Sequence, residues 1–339
     1  MRYLILIFTF VLVFQSNCQI SDFESIDFSK ADSIAVNYRD ELLNNLPSLS
    51  HKLTANLNTD AEKFRSLFKW ICINLSNDYG LYFRNKSKRH KFKDDSLKLA
   101  SWNDKFRAII FKRMVKNKRT ICTGYAYLLK EFADLTNIEC EIVHGYGRTS
   151  MTLIEEGDAP NHSWNVVKLD GKWYLADPTW ASGIPNPKNN RFQFYFNDGY
   201  FLSHPELFAI NHFPVASQWT LLGEDAPSFE AFLDSPILYG HAYQTLVKIE
   251  SPQRMHNTIQ KRESVQFNYQ LLRQIEAQQV TLMIDSGSNM RTFSPSQLKI
   301  ENDHLMIDYQ FNQTGFYDVH LLIDDRLVST HTVRVKNQH

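Results

Sequence analysis

Three residues whose side chains can cooperate in thiol chemistry follow one another along the chain in the order cysteine, histidine, aspartate. They stand in the segments Cys122-Thr-Gly-Tyr-Ala, His162-Ser-Trp-Asn and Asp177-Pro-Thr-Trp. A cysteine thiolate can attack a carbonyl carbon, an imidazole can carry the proton, and a carboxylate can orient the imidazole. The sequence therefore predicts a Cys-His-Asp catalytic triad.

The segment between the histidine and the aspartate predicts how these two side chains meet. Asp170-Gly171 separates two apolar-rich strands, and an Asp-Gly pair in this place is typical of a two-residue hairpin with a type I′ turn. In such a hairpin paired positions sum to 341 (170 plus 171), so Trp164 opposes Asp177. Because residues two apart share a face, His162 lies on the face of Asp177, about 7–8 Å away by backbone. A one-residue slip would put the two on opposite faces.

A helix is predicted to begin at the cysteine itself. The residues after Cys122 place apolar side chains at helical spacing, namely Ala126, Leu128, Leu129, Phe132, Ala133 and Leu135. A thiol at a helix N-terminus faces the positive end of the helix dipole and backbone N–H groups without intrahelical acceptors. Both favour the thiolate, and the N–H groups can also stabilise an oxyanion.

A strongly basic stretch precedes the cysteine. Residues 84–119 carry fourteen Lys or Arg against three Asp. Such a run is typical of a solvated loop or helix face, which is the interpretation favoured here. The functional alternative is that its end, Lys116, Lys118 and Arg119, lowers the pKa of the adjacent thiol. A weaker alternative is that the run selects acidic substrates or an anionic surface.

The N-terminus predicts export. A basic start containing Arg2 precedes an apolar run over residues 4–14, which is too short to span a membrane. Small residues Ser16 and Cys18 fit cleavage before Gln19, so residues 1–18 are predicted to be a signal peptide and the mature chain to be secreted or periplasmic. The alternative is a bacterial lipoprotein lipidated at Cys18, although its flanking residues fit a lipobox poorly. No later segment is apolar enough for a transmembrane span.

Cleavage would leave Cys72, Cys122 and Cys140, an odd number that implies at least one free thiol. A disulfide between Cys122 and Cys140 is the structural alternative to a catalytic thiol, whereas Cys72 fits the apolar stripe of a helix as an inert core thiol. Cys122, Cys140, His144 and His162 lack the paired short spacing of a zinc site, so no metal is predicted. His144 is expected to be an ordinary strand histidine rather than a second acid or base.

Composition bounds the remaining possibilities. The 339 residues are 43% hydrophobic and 22% charged, enough for a substantial core and two domains. The formal net charge is zero, so nothing global suggests nucleic-acid binding, and the absence of GxGxxG and Walker A motifs argues against a nucleotide cofactor. We therefore expect no cofactor.

The pattern along the chain predicts an α+β catalytic domain followed by a β-sandwich. Residues 19–222 contain a helical lead-in, a helix with a Thr59–Glu62 capping box that should end near Asn77, the cysteine helix and the hairpin. Residues 223–240 are the predicted linker. Short strands with turn residues between them predict an Ig-like β-sandwich over residues 241–339.

The three motifs resemble those of the transglutaminase-like superfamily, in order, over roughly residues 55–220. Two later segments, residues 195–205 and 213–219, are similar to the extension in the kyphoscoliosis-peptidase-like branch, whose members tend to carry Ig-like modules after the catalytic domain. The resemblance implies a papain-like core with Cys122 as nucleophile, His162 as general acid/base and Asp177 as orienting group. These roles agree with the hairpin geometry.

The oxyanion and substrate-binding side chains are less well defined. The resemblance implies a backbone amide at the cysteine plus an upstream side chain, for which Trp102, Asn103 and Asn117 are positional candidates. Trp164 and Trp180 are expected to wall the site or pack its sheet, as aromatic residues in strands usually do.

The function predicted from these features is an exported cysteine acyl-transfer enzyme that acts on peptide or protein amides through a thioester. Peptidase activity is preferred to transglutaminase activity because water is always present and no amine-acceptor pocket can be identified. The main alternative is a catalytically idle binding or scaffold protein of the cell envelope. A third is another chemistry of the superfamily, such as amide removal from glycans or acyl transfer from a small thioester.

Overall fold

The computed structural model describes residues 20–155, 157–186, 188–189 and 191–337. The predicted signal peptide and Cys18 therefore lie outside the described residues. The α-helices are α1 Ser29–Asn37, α2 Leu46–Thr54, α3 Asp60–Asn74, α4 Tyr79–Lys91, α5 Ser96–Asn117, α6 Cys122–Leu135, α7 Pro178–Ser182, α8 Pro205–Asn211 and α9 Phe229–Leu233. None of the helices in the described ranges is both long and apolar enough to cross a bilayer.

Strands make up most of the second half of the chain. They are β1 Ser76–Asn77, β2 Arg119–Thr120, β3 Cys140–Gly147, β4 His162–Leu169, β5 Lys172–Ala176, β6 Gly183–Pro185, β7 Phe192–Phe194, β8 Phe201–Ser203, β9 His212–Pro214, β10 Ile237–Leu238, β11 Leu246–Ser251, β12 His256–Gln260, β13 Ser264–Leu271, β14 Val280–Asp285, β15 Met290–Phe293, β16 Leu298–Glu301, β17 His304–Gln310, β18 Gly315–Ile323 and β19 Arg326–Lys336.

The first domain is built on a five-stranded antiparallel sheet in the order β8-β5-β4-β3-β9. Helix α6 packs on β4 and β3, and α3 packs against α6 and α7. The apolar face of α6, including Leu129 and Phe132, is fully buried in the core against these strands. This helix-on-sheet arrangement confirms the α+β prediction.

The β4–β5 hairpin has the predicted register. Leu169 pairs with Lys172 and Asn165 with Ala176, so paired positions sum to 341. Asp170 and Gly171 both have positive φ, 49° and 82°, as a type I′ turn requires.

Helix α3 begins as predicted and ends three residues earlier than predicted. The Thr59 side chain accepts a hydrogen bond from Glu62 N, and the Glu62 carboxylate accepts one from Thr59 N, which completes the capping box. The helix stops at Asn74 because the chain then extends and Ser76 N donates to Lys118 O in the parallel β1–β2 pair. This contact between segments 42 residues apart overrides the local helical pattern.

The basic stretch forms two helices, α4 and α5, with a small core of their own. This core consists of Leu81, Trp102, Phe106, Ile110 and Ile121. We call α4, α5 and their connection the basic arm. Asp78 closes its base, because Oδ1 caps α4 by accepting from Leu81 N while Oδ2 pairs with Arg113. The arm is therefore an ordered structure fixed beside the cysteine helix.

The second domain contains two sheets. One has the order β10-β19-β18-β14-β15 with β12 also paired to β19, and the other has the order β11-β13-β17-β16. Their inward side chains, among them Phe267, Leu282 and Val333, are buried. The sandwich confirms the predicted fold class, and Asp324 and Asp325, both with positive φ, form the predicted last turn.

The segment predicted as a linker, residues 223–240, packs against both parts of the chain. It contains α9 and β10, and β10 pairs with β19 of the sandwich. Buried Arg148 at the end of β3 donates hydrogen bonds to the carbonyl oxygens of Phe232, Ser235 and Pro236. The domain boundaries at 222 and 241 stay a prediction.

Candidate active site

The hairpin brings His162 and Asp177 into direct contact. His162 Nε2 lies 2.7 Å from Asp177 Oδ2, and both side chains are buried. Asp177 follows the last residue of β5 and caps α7, where its Oδ1 accepts hydrogen bonds from Thr179 N at 2.8 Å and Trp180 N at 3.0 Å. The carboxylate is thus fixed by backbone donors on one oxygen and orients the imidazole with the other.

Cys122 is the first residue of α6, as predicted, and its side chain is 6% exposed. Its thiol is near enough to His162 to contribute to the raised pKa of the imidazole. Since Asp177 occupies Nε2, Nδ1 is the imidazole nitrogen left for the thiol. The structure thus shows the contact between His162 and Asp177, and Cys122 as the third member of a catalytic triad stays a prediction.

The electrostatics favour an imidazolium at this position. Burial on its own would lower the pKa of His162, but the Asp177 charge, the hydrogen bond to Asp177 and the contact with Cys122 raise it to about 10. Burial would raise the pKa of Asp177, but the hydrogen bonds from His162 and His212 keep it well below its usual value. At neutral pH His162 can therefore hold a proton for delivery to a leaving group.

A second histidine, His212, which sequence reasoning missed, also binds the aspartate. His212 Nε2 lies 3.1 Å from Asp177 Oδ2, and its ring stacks on Phe208 with centroids 3.7 Å apart. Burial lowers its pKa to about 4, so the ring is neutral and holds one proton. Nε2 faces the Asp177 carboxylate, whereas Nδ1 lies 3.3 Å from Phe208 O, and we assign the proton to Nε2 because the carboxylate is the stronger acceptor at the shorter distance. His212 reaches the site because β9 pairs with β3, with His212 opposite Gly147. A lone histidine 35 residues after Asp177 carries no local signal for this pairing.

The same cluster has the composition of a partial metal site. The ligand atoms of His162, Asp177 and His212 all lie within 4.8 Å of one another. However, both Nε2 atoms converge on one carboxylate oxygen at hydrogen-bond distance. Direct hydrogen bonding therefore accounts for the arrangement without an ion.

Three glycines let the chain close tightly around the site. A Cβ at Gly124 would lie 1.8 Å from Thr120 Oγ1, and one at Gly145 would lie 2.2 Å from Phe213 O. A Cβ at Gly147 would lie 2.9 Å from the Cβ of His162. The glycine of the cysteine motif is thus required by the close approach of β2 to α6, and the other two by the approach of β9 and β4 to β3.

Two of the predicted tryptophans adjoin the histidine. The Trp180 ring stacks on His162 with centroids 4.9 Å apart and planes 24° apart, and Trp180 is half-buried. The Trp164 ring lies 5.9 Å from the same imidazole and is fully buried. Trp180 thus covers the imidazole at a half-buried position and Trp164 supports it from within the core, while a substrate-binding role for either stays a prediction.

The three upstream candidates lie on α5 in the basic arm. Trp102 packs in the arm core, and its indole nitrogen donates to Asn85 Oδ1 at 2.9 Å. Asn103 and Asn117 are exposed. Among the described contacts none joins these three side chains to the triad, and an oxyanion role for any of them stays a prediction. The sequence also gave no reason to place Tyr82 of α4 near the cysteine. Burial and the nearby Cys122 both raise the pKa of this tyrosine.

The basic residues immediately before the cysteine have other partners. Lys118 Nζ donates to Arg39 O at 3.1 Å and to Asn74 Oδ1 at 3.0 Å, while Arg119 lies 3.5 Å from Asp78. Their predicted effect on the thiol stays a prediction.

All three described cysteines are free thiols. Cys72 and Cys140 are fully buried, and burial raises the pKa of Cys140 to about 12 and that of Cys72 well above its usual value. His144 Nδ1 lies 2.9 Å from Ser163 Oγ, in keeping with an ordinary strand histidine.

Comparison with known proteins places this arrangement beside one family of enzymes and enzyme-like proteins, to which part of the chain is similar. Residues 47–178 match the family model described as the transglutaminase-like superfamily, which confirms the resemblance seen in the three motifs.

Among individual relatives, the chain is similar to kyphoscoliosis peptidase from Homo sapiens, with 30% identity over 208 residues, 60% of this chain and 27% of that protein. It is also similar to Hillarin from Drosophila melanogaster, with 23% identity over 212 residues, 59% of this chain and 23% of that protein. The matched region thus spans about a quarter of each curated relative. A solved TGase structure matches 47% of this chain and 35% of that chain at 14% identity, with a TM-score of 0.25.

The His212 contact predicts a difference between two replacements. His212→Leu removes the donor to a buried carboxylate, and we expect the free energy of unfolding to fall by about 1.5–3 kcal/mol. His212→Gln keeps an N–H near the position of Nε2, so its loss of stability should be at most half of that of His212→Leu. Urea denaturation of both variants measures the difference, and equal destabilisation by the two would contradict the proposed hydrogen bond.

Proposed function

We propose that this chain is an exported cysteine acyl-transfer enzyme that acts on peptide or protein amide bonds, with hydrolysis as its principal reaction. The observation that carries the proposal is the buried His162–Asp177 pair, at 2.7 Å, beside the Cys122 thiol at the start of α6. Export rests on the N-terminal sequence alone.

In the proposed resting state the proton of the Cys122 thiol is already on His162, which forms a thiolate–imidazolium pair. The thiolate attacks the amide carbonyl carbon, and the oxygen gains the negative charge. The N–H groups of Gly124 and Tyr125 in the first turn of α6 donate to Ile121 O, so the N–H groups of Cys122 and Thr123 are the ones proposed to stabilise this charge. The C–N bond then breaks while the His162 imidazolium protonates the leaving amine, and an acyl thioester remains on Cys122.

Water resolves the thioester in the second half of the reaction. Neutral His162 accepts a proton as water attacks the thioester carbonyl, and the C–S bond breaks to release a carboxylic acid and regenerate the thiolate–imidazolium pair. Asp177 keeps the imidazole in one orientation throughout, and His212 keeps the Asp177 carboxylate in place. An amine in the place of water would give a new amide, the transglutaminase outcome.

Mass spectrometry of a peptide library separates these outcomes. We expect the wild type to hydrolyse peptides whether or not a primary amine is present, and we expect Cys122→Ala to produce no hydrolysed peptides. Amine adducts in place of hydrolysis would assign transglutaminase activity. If the wild type were no more active than Cys122→Ala on any peptide, protein or glycan amide, the alternative of a catalytically idle scaffold protein would be favoured.

A further inference from the structure

The outer face of the basic arm carries an ordered row of lysines. Lys98, Lys105, Lys112 and Lys116 on α5 are all exposed. Their spacing of seven, seven and four residues places them within an arc of about 40° on a helix with 3.6 residues per turn. At about 1.5 Å per residue the row is about 27 Å long. We call these four residues the lysine stripe.

The stripe is largely without acidic partners inside the described part of the chain. Lys98 pairs with Asp95 at 2.7 Å, and no ion pair is found there for Lys105, Lys112 or Lys116. Charges that are not neutralised within a fold remain available to an external anion.

Uncharged residues form a row along one side of the stripe, which exposed Asp104 interrupts between Ser101 and Ala108. Leu97, Ser101, Ala108 and Val115 occupy it at helical spacing, and Leu97 is 82% and Val115 48% exposed. The opposite side of α5, with Trp102 and Phe106, is buried in the arm core. The exposed surface thus offers positive charge beside apolar side chains.

The arm is connected directly to the proposed nucleophile. Ile110 of α5 packs in the arm core with Ile121, the residue before Cys122, and Ile110 also adjoins Gly124 of α6. A polypeptide held on the stripe is therefore bound to the outer face of a helix whose inner face packs against the start of the cysteine helix.

We propose that the lysine stripe docks an acidic, partly apolar segment of the polypeptide substrate; this inference rests on the proposed function. Charge complementarity identifies the occupant. Carboxylates spaced along an extended or helical polypeptide segment can pair with the lysines, and apolar side chains of the same segment can pack on the uncharged row. A polypeptide fits better than a membrane, since the large apolar side chains exposed on α5 are Leu97 and Val115 alone, too few to insert into a bilayer.

Fluorescence anisotropy with the full-length Cys122→Ser protein tests docking without turnover. A labelled 20-residue peptide of glutamate and leucine is compared with its glutamine counterpart. The glutamate peptide should bind, and Lys105→Glu/Lys112→Glu should weaken binding at least tenfold. The matched control Arg291→Glu/Lys336→Glu, on the exposed surface of the sandwich, should bind as the parent does.

Equal binding of both peptides, or no effect of the α5 reversals, would overturn the proposal. So would lysine-dependent binding to phosphatidylserine vesicles or duplex DNA that exceeds binding to the peptide. Because the protein used cannot form a thioester, an inactive Cys122 in the wild type would refute the proposed function without affecting this result.

Discussion

Replacing Asp177 with asparagine is expected to reduce turnover about 10⁴-fold, the loss seen when the aspartate of a serine-protease triad is replaced in this way. The replacement removes the charge that holds the pKa of His162 at about 10, and burial then favours neutral imidazole. The asparagine amide also presents an N–H to Nε2, which selects the wrong tautomer. Steady-state kinetics on a confirmed peptide substrate measures the effect.

This replacement separates catalysis from folding. Asn caps helices as well as Asp does, so the bonds from Thr179 N and Trp180 N to Oδ1 should persist. Asp95→Asn, which replaces the capping aspartate of α5, is the matched control and should leave turnover within about twofold. Asp177→Asn with near-normal turnover in a folded protein would contradict the orienting role.

The second large effect is a pH dependence of stability in the Cys122→Ala variant. The folded pKa of His162 is raised above the unfolded value of about 6.5. The stabilisation is therefore complete below about pH 6.5 and is lost as pH rises towards the folded pKa. Between about pH 6.5 and 8.5, the free energy of unfolding should fall by up to about 1.4 kcal/mol per pH unit.

Urea denaturation across this pH range gives the slope, and His162→Gln/Cys122→Ala should abolish it. The wild type should show a smaller slope, because the proton on His162 then comes from Cys122 and the pair binds no additional proton. Equal slopes with and without His162 would contradict a protonated imidazole in the folded protein.

Local sequence chemistry predicted the parts of the site that lie close together in the chain. Asp170-Gly171 determined the hairpin register because its turn needs positive φ at both residues, and the register brought His162 to Asp177. The helix beginning at Cys122 followed from its apolar spacing. The Thr59–Glu62 capping box correctly located the start of α3.

Local sequence patterns could not predict the contacts between distant segments of the chain. His212 enters the site through the pairing of β9 with β3, across about 65 residues of chain that separate Gly147 from His212. The early end of α3 results from the pairing of Ser76 with Arg119. Short edge strands such as β15 and β16 alternate too briefly to be distinguished from loops.

The most direct test of the central claim is the pH dependence of iodoacetamide alkylation at each cysteine of the folded protein, with His162→Ala as control. We predict that Cys122 is alkylated at about pH 6–7 far faster than a free thiol of pKa about 8.5, and that His162→Ala removes this reactivity. Buried Cys72 and Cys140 should stay unlabelled as internal controls. A Cys122 that reacts no faster than a free thiol, or equally fast without His162, would contradict an activated thiolate–imidazolium pair.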